Sequence, residues 1–177
     1  RSLLDRIAVQ TYAGVVAGSK WLVVSLAVAI TITIVGLSGL DLVLEPPVSA
    51  LVATSLVPAL VLFVYLRYAD VTSGEPLGLL AITFLLATVT AGFAAVINSV
   101  ALSGLGGIAD RFGEAVALGI FFYVVVGPVE ETVKLLAVRL YAYPDDRFDA
   151  VIDGAVYGAV AWLGFATIEN AIYITDL

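Results

Sequence analysis

The chain has no cysteine and no histidine, and its eight basic residues divide into six arginines and two lysines. Without cysteine there is neither a disulfide framework nor a thiolate metal site. Without histidine the commonest zinc ligand and the commonest general base are both missing. Charge is scarce and one-sided: charged residues make up 13% of the chain, and 15 acidic against 8 basic residues leave a net charge of −7. No nucleic-acid partner is expected of such a chain. Acidic loops with little lysine suit a protein bathed in high salt, so the expected source is a halophilic archaeon.

What the chain has in abundance is apolar residues. They form 62% of its 177 positions, and mean hydropathy is +1.10. A soluble domain is about 45–50% apolar, so the expectation is a multi-pass protein of the cell membrane whose immediate partner is the lipid bilayer. A bilayer core takes about 20 apolar residues per helix. Five segments qualify, at about 21–40, 46–68, 77–102, 114–143 and 148–175. The predicted fold is all-α: a transmembrane bundle over 19–177, preceded by an amphipathic helix at 1–18 lying in the membrane interface. Leu3, Leu4, Ile7, Ala8 and Tyr12 recur there at helical spacing, while Asp5 and the lack of an unbroken apolar core argue against a signal peptide. Arg1, Arg6, Lys20, Arg67, Arg139 and Arg147 fall on one side of the alternating spans. The other side has Arg111 among Asp41, Glu45, Asp110 and Glu114. Positive charge marks the cytoplasmic side, which places the amino terminus inside and Leu177 outside.

Against this apolar background, Glu130, Glu131 and Lys134 stand in the fourth span, and Glu169 and Asn170 in the fifth. A carboxylate at membrane depth costs about 2.5–3.5 kcal/mol on insertion scales, so three of them point to a functional site between the two helices. Glu130 and Lys134 are an i,i+4 pair in the favourable order, and Lys134 is i+3 from Glu131. The two glutamates lie about 100° apart around the helix and need not share a role. Gly127-Pro128 just ahead of them should kink the helix and free a backbone carbonyl.

In the fifth span, Gly154, Gly158, Ala161 and Phe165 lie near one face, and Glu169 falls close to it. The GxxxG spacing predicts that this face approaches another backbone. Asp153, nearly opposite, is either a cap or partner of Arg139 or Arg147, or a site residue. Asn170 and Tyr173 either orient Glu169 or a substrate peptide, or serve as interfacial structure. Asn98 is expected to make an interhelical hydrogen bond. Thr31, Thr33, Thr83, Thr88 and Thr90 are expected to bond back to their own helices, Pro58 to kink the second span, Trp21 to sit in the interfacial belt and Trp162 to pack. From these residues alone two activities stay open. A carboxylate can activate water for hydrolysis. Paired carboxylates with a lysine also relay protons in transporters, although no inverted repeat is visible. A non-catalytic protein that binds membrane partners is a third possibility.

Glu130-Glu131-Thr132-Val133-Lys134 resembles the EExxK motif of the PrsW family of intramembrane proteases. The segment from Asp153-Gly154-Ala155-Val156-Tyr157-Gly158 to Gly164-Phe165-Ala166-Thr167-Ile168-Glu169-Asn170-Ala171-Ile172-Tyr173 is similar to that family's DGxxYG and GFAxxENxxY stretch, and Asp70 with Glu75-Pro76 to its acidic lead-in. The resemblance spans about residues 65–175. It implies an endopeptidase, distantly akin to the CAAX-processing enzymes, that cleaves membrane-anchored protein substrates such as anti-sigma factors. It carries Glu130 and Glu131 over as catalytic or ligand glutamates, Lys134 as their charge partner, and Glu169 and Asn170 as site residues of the next helix. A divalent metal, zinc in the family, would then be held by Glu130, Glu131 and Glu169. A purely carboxylate site suits Mg²⁺ or Ca²⁺ better. The family pattern continues into a helix with a histidine, so either such a helix follows Leu177 or the active site is incomplete; the expectation is the first, with these residues part of a longer chain.

Overall fold

The computed structural model describes residues 3–37, 45–69 and 75–175. Six helices account for most of them, and no strand occurs among the described residues: α1 (Leu3–Leu37), α2 (Pro46–Ala69), α3 (Leu77–Ser103), α4 (Gly106–Phe112), α5 (Glu114–Ala142) and α6 (Val151–Thr175). All but the short α4 are long and apolar enough to cross a membrane. The chain is therefore a multi-pass, all-α membrane protein, as its composition predicts. The expected interfacial stretch and the first span are one uninterrupted helix, because nothing between Leu3 and Leu37 stops it. Gly14 and Gly18 sit in open space there and impose no bend. Asp41 and residues 70–74, including the acidic Asp70, lie outside the described residues.

Punctuation follows the residues. Pro46 and Pro47 open α2, where a missing N–H does no harm. Pro76, with extended backbone, precedes α3, and its carbonyl accepts the N–H groups of Leu79 and Leu80. Between α4 and α5 the chain turns at Gly113, whose φ of +89° favours glycine.

Helix α3 is the centre of the bundle, contacting α1, α5 and α6, while α2 lies against α6. Lipid is as apolar as leucine, so helices associate in membranes through close packing and hydrogen bonds rather than through hydrophobic transfer. The core fits that rule. Its buried positions on α3 include Ala87, Ala91, Gly92 and Ala94, beside Ala137 of α5 and Val160 and Ala161 of α6. Three threonine hydroxyls then tie α3 to its neighbours. Thr31 of α1 donates to the Val89 carbonyl (2.8 Å), Thr88 to that of Gly164 (3.1 Å) and Thr90 to that of Val133 (3.4 Å). Thr33, Thr83, Thr88 and Thr90 also bond within their own helices, whereas the bond of Thr31 crosses to α3.

Gly154 and Gly158, whose spacing predicts a close backbone approach, are not where α6 meets α3. Gly154 and Gly158 are exposed, and a methyl group on Gly158 would meet nothing. Gly164 is the crossing point: an added Cβ would lie 2.3 Å from the Phe84 carbonyl oxygen. Trp162, expected to pack, is 53% exposed, because it projects from the same open side of α6 as Gly158. The small Ala161 and Gly164, which has no side chain at all, let α3 come close instead.

At the opposite end of α6 from Glu169, polar residues fasten the helix. Asp153 is 2% exposed, and its Oδ2 accepts the N–H groups of Asp149 (2.9 Å) and Ala150 (2.8 Å) just before the helix. Of the roles its position allowed, Asp153 thus takes the cap. The buried Tyr157 hydroxyl donates to the buried carboxylate of Glu75 ahead of α3, and its ring stacks on Phe148 at 5.7 Å. In the α5–α6 turn, Arg147 Nε donates to Asp145 Oδ1 at 2.7 Å. That bond, with the Arg147 backbone N–H, holds the Asp145 carboxyl down at about 2. The pair is open to solvent and contributes little to stability.

Candidate active site

Pro128 dictates the local shape of α5. It lacks an N–H, and in a regular helix its ring collides with the carbonyl four residues back. The chain widens instead into a π-turn over Phe121–Val126, and the Gly127 N–H reaches back to the Phe122 carbonyl. The expected kink is thus taken up by a wide turn. A second π-turn runs over Val138–Ala142. Between them, Gly127–Ala137 is a three-turn α-helical block that carries Glu130, Glu131 and Lys134. Such wide turns within α-helices are frequent at functional sites.

Within that block the two glutamates part company. Lys134 Nζ lies 2.8 Å from Glu131 Oε1 and 3.6 Å from Glu130 Oε2. The lysine side chain is 11% exposed and rests over the Phe165 ring, 4.5 Å from its centroid. Glu131 is 72% exposed, whereas Glu130 is 18% exposed. Glu130 turns inward to a cavity of about 220 Å³ between α3, α5 and α6. Glu169 of α6 lines the same cavity. The remaining polar residues in its wall are Asn98 of α3 and Tyr173 of α6, among alanines and apolar side chains.

Glu131 faces a second cavity of about 410 Å³, walled by Lys134, Tyr143, Phe148, Gly154, Gly158 and Trp162 among others. Although larger, it holds a carboxylate already paired with its lysine. The smaller cavity joins two carboxylates from different helices to an amide whose oxygen, Asn98 Oδ1, is buried with no hydrogen-bond partner among the described residues. Chemistry that needs two proton-handling groups on one substrate fits the smaller one. Of the expected site residues, Glu130 and Glu169 meet there, Lys134 bridges the two glutamates of α5, Glu131 points elsewhere, and Asn170 is exposed and absent from the wall. Asn98 was expected only to join helices. Its place in the wall depends on how α3 is rotated against α5 and α6, which a lone asparagine in an apolar run does not reveal.

The metal expected with Glu130, Glu131 and Glu169 does not fit these residues as a set. No group of three His, Cys, Asp or Glu side chains able to hold a metal ion occurs among the described residues. Glu131 faces a different cavity from Glu130 and Glu169, and a catalytic zinc usually takes three protein ligands.

Residues 75–177 match the family described as PrsW family intramembrane metalloprotease. Protease PrsW of Geobacillus kaustophilus is 30% identical over 125 residues, which cover 71% of this chain and 52% of that protein. Protease PrsW of Bacillus subtilis is 31% identical over 127 residues, covering 71% and 54%. A shorter match, 44% identical over 52 residues, links the chain to Protease PrsW of Clostridioides difficile, covering 29% and 22%. These are bacterial proteins, and the halophile expectation finds no support among them. The chain spans about half the length of the first two relatives. No solved structure matches it. The family match takes in more than half of the chain, including α3, α5 and α6 with every residue of the smaller cavity, and the chain belongs to the PrsW family of intramembrane metalloproteases.

Proposed function

We propose that these residues carry the proton-handling groups of an intramembrane endopeptidase that cleaves membrane-anchored protein substrates. The observation behind this reading is the meeting of Glu130 and Glu169 in one cavity from two different helices. Hydrolysis of a peptide bond needs one group to take a proton from water and another to give one to the leaving amine. Glu130 is the base. It removes a proton as the water oxygen bonds to the peptide carbonyl carbon. Glu169 supplies the proton that the amine nitrogen takes up as the carbon–nitrogen bond breaks. Lys134 balances the charge of the glutamates on α5. None of these steps uses a metal, for which the donor set of this stretch is incomplete.

The test uses full-length protein in proteoliposomes with a single-span reporter peptide labelled at both ends. The expected result is two fragments from a cut within the apolar segment, identified by mass, and an intact reporter with the Glu130→Gln/Glu169→Gln double variant. An intact reporter with the parent protein, or equal cleavage by the double variant, would sink the proposal.

The orientation is part of the same reading. The arginine-rich side, with Lys20 and Arg147, faces the cytoplasm. A single cysteine at Ser19 should then react with a membrane-impermeant thiol reagent in inverted vesicles and not in right-side-out ones. The chain's freedom from cysteine makes that signal clean. The opposite pattern would reverse the topology.

A further inference from the structure

We infer that Asn98 is a substrate-binding residue of this site, its side-chain amide pairing with the backbone of the peptide held between Glu130 and Glu169. The inference rests on the endopeptidase reading and adds to it a group on a third helix.

The first observation is an orphaned atom. Asn98 Oδ1 is buried and has no hydrogen-bond partner among the described residues. The rest of α3 does not tolerate such orphans. Thr83, Thr88, Thr90 and Ser103 on the same helix all place their hydroxyls on carbonyls. A buried amide oxygen left unpaired is costly, and in a native protein it calls for an explanation. The second observation is location. Asn98 lines the cavity that holds Glu130 and Glu169, one turn along α3 from Ala94 and Ala95 in the same wall.

The chemistry of the ligand follows from the solvent. Inside a bilayer a peptide segment keeps its N–H and C=O groups bonded to each other in a helix. To be cut it must unwind, and its freed groups then need hydrogen-bond partners in the cavity wall, where bulk water does not reach. Glu130, the ionised base, only accepts hydrogen bonds, and Glu169 commits its one proton to the leaving amine, so neither is left to hold a substrate carbonyl. A primary amide has an accepting oxygen and two donating hydrogens, which matches a peptide group on both counts. Among the side chains of this cavity, Asn98 is the one amide. Its oxygen takes the substrate N–H and its nitrogen donates to the neighbouring substrate carbonyl.

The experiment compares parent and Asn98→Leu proteins, full-length, by three readouts. The first is thermal unfolding in detergent. The second is the KM and kcat for cleavage of the single-span reporter. The third is disulfide trapping of a reporter carrying one cysteine by an Ala95→Cys cavity residue, in a Glu130→Gln background otherwise free of cysteine. The expected result is an unchanged or raised melting temperature, since the Asn98 side chain makes no hydrogen bond among the described residues. KM should rise about tenfold with a smaller change in kcat, as for one lost hydrogen bond to substrate, and trapping should fall. A clear drop in melting temperature would make Asn98 glue between helices and overturn the inference. So would an unchanged KM with unchanged trapping. Absence of cleavage by the parent protein would count against the endopeptidase reading instead. The trapping arm needs no turnover and still decides the role of Asn98.

Discussion

Glutamine in place of Glu130 is expected to lower reporter cleavage by about 10²–10⁴-fold, the range for losing a general base. Glutamine in place of Glu131 should lower it by less than about fivefold, the worth of an exposed ion pair. The two residues are adjacent and chemically identical, so the contrast isolates direction. Glu130 is largely enclosed and shares a cavity with Glu169, while Glu131 is mostly exposed and bound to Lys134 at the rim of another. Both variants keep the shape of the side chain, and circular dichroism should show unchanged helix content. The measurement is kcat/KM for each single variant against the same reporter. Equal, severe losses in both would mean that Glu131 also reaches the reacting atoms, and the assignment of a single base on α5 would fail.

The second large effect concerns packing. Gly164→Ala should destabilise the bundle by about 3 kcal/mol, at the upper end of the usual range for overpacking. The added methyl group meets the Phe84 carbonyl oxygen at 2.3 Å and the Ala87 Cβ at 3.1 Å. A backbone atom cannot swing aside as a flexible side chain can, so α3 and α6 must separate. The bond from Thr88 to the Gly164 carbonyl would be strained with them. Gly158→Ala, six residues earlier on the same helix, enters open space and should be neutral or stabilising by up to about 1 kcal/mol from helix propensity. Unfolding of each variant in a graded detergent denaturation would measure both. If the two substitutions behaved alike, α3 and α6 would not meet at Gly164.

The five spans were legible because span length and apolarity are properties of a single segment, and the bilayer fixes the first of them. The parting of Glu130 from Glu131 was legible for a similar reason: adjacent residues on any helix diverge by about 100°. What could not be read was how one helix is turned against another. The GxxxG pair of Gly154 and Gly158 announces a helix contact wherever it occurs, yet here the contact is made by Gly164, on another face. Asn98 suffered from the same blindness. One asparagine in an apolar run reads as a tether between helices, and its membership of the cavity wall appears only once three helices are placed together. The bond between Tyr157 and Glu75 joins residues 82 positions apart, and no local pattern carries that information.

The ion pairs of Lys134 have a consequence that precedes any chemistry. A multi-pass protein enters the membrane span by span, and each span is weighed as it emerges, before the bundle exists. Of the five candidate spans, those that carry Glu130, Glu131 and Glu169 are the two least apolar. At that moment α5 has no α3 or α6 to shelter its carboxylates, and a charged residue near the middle of a span adds about 2.5–3.5 kcal/mol to the cost of insertion. Lys134 sits one turn below both glutamates, within reach of each, so the helix brings its own counter-ion. On the same scale the lysine carries a like cost of its own, and its pairing with both carboxylates is what offsets part of the burden of three charges as α5 enters the bilayer.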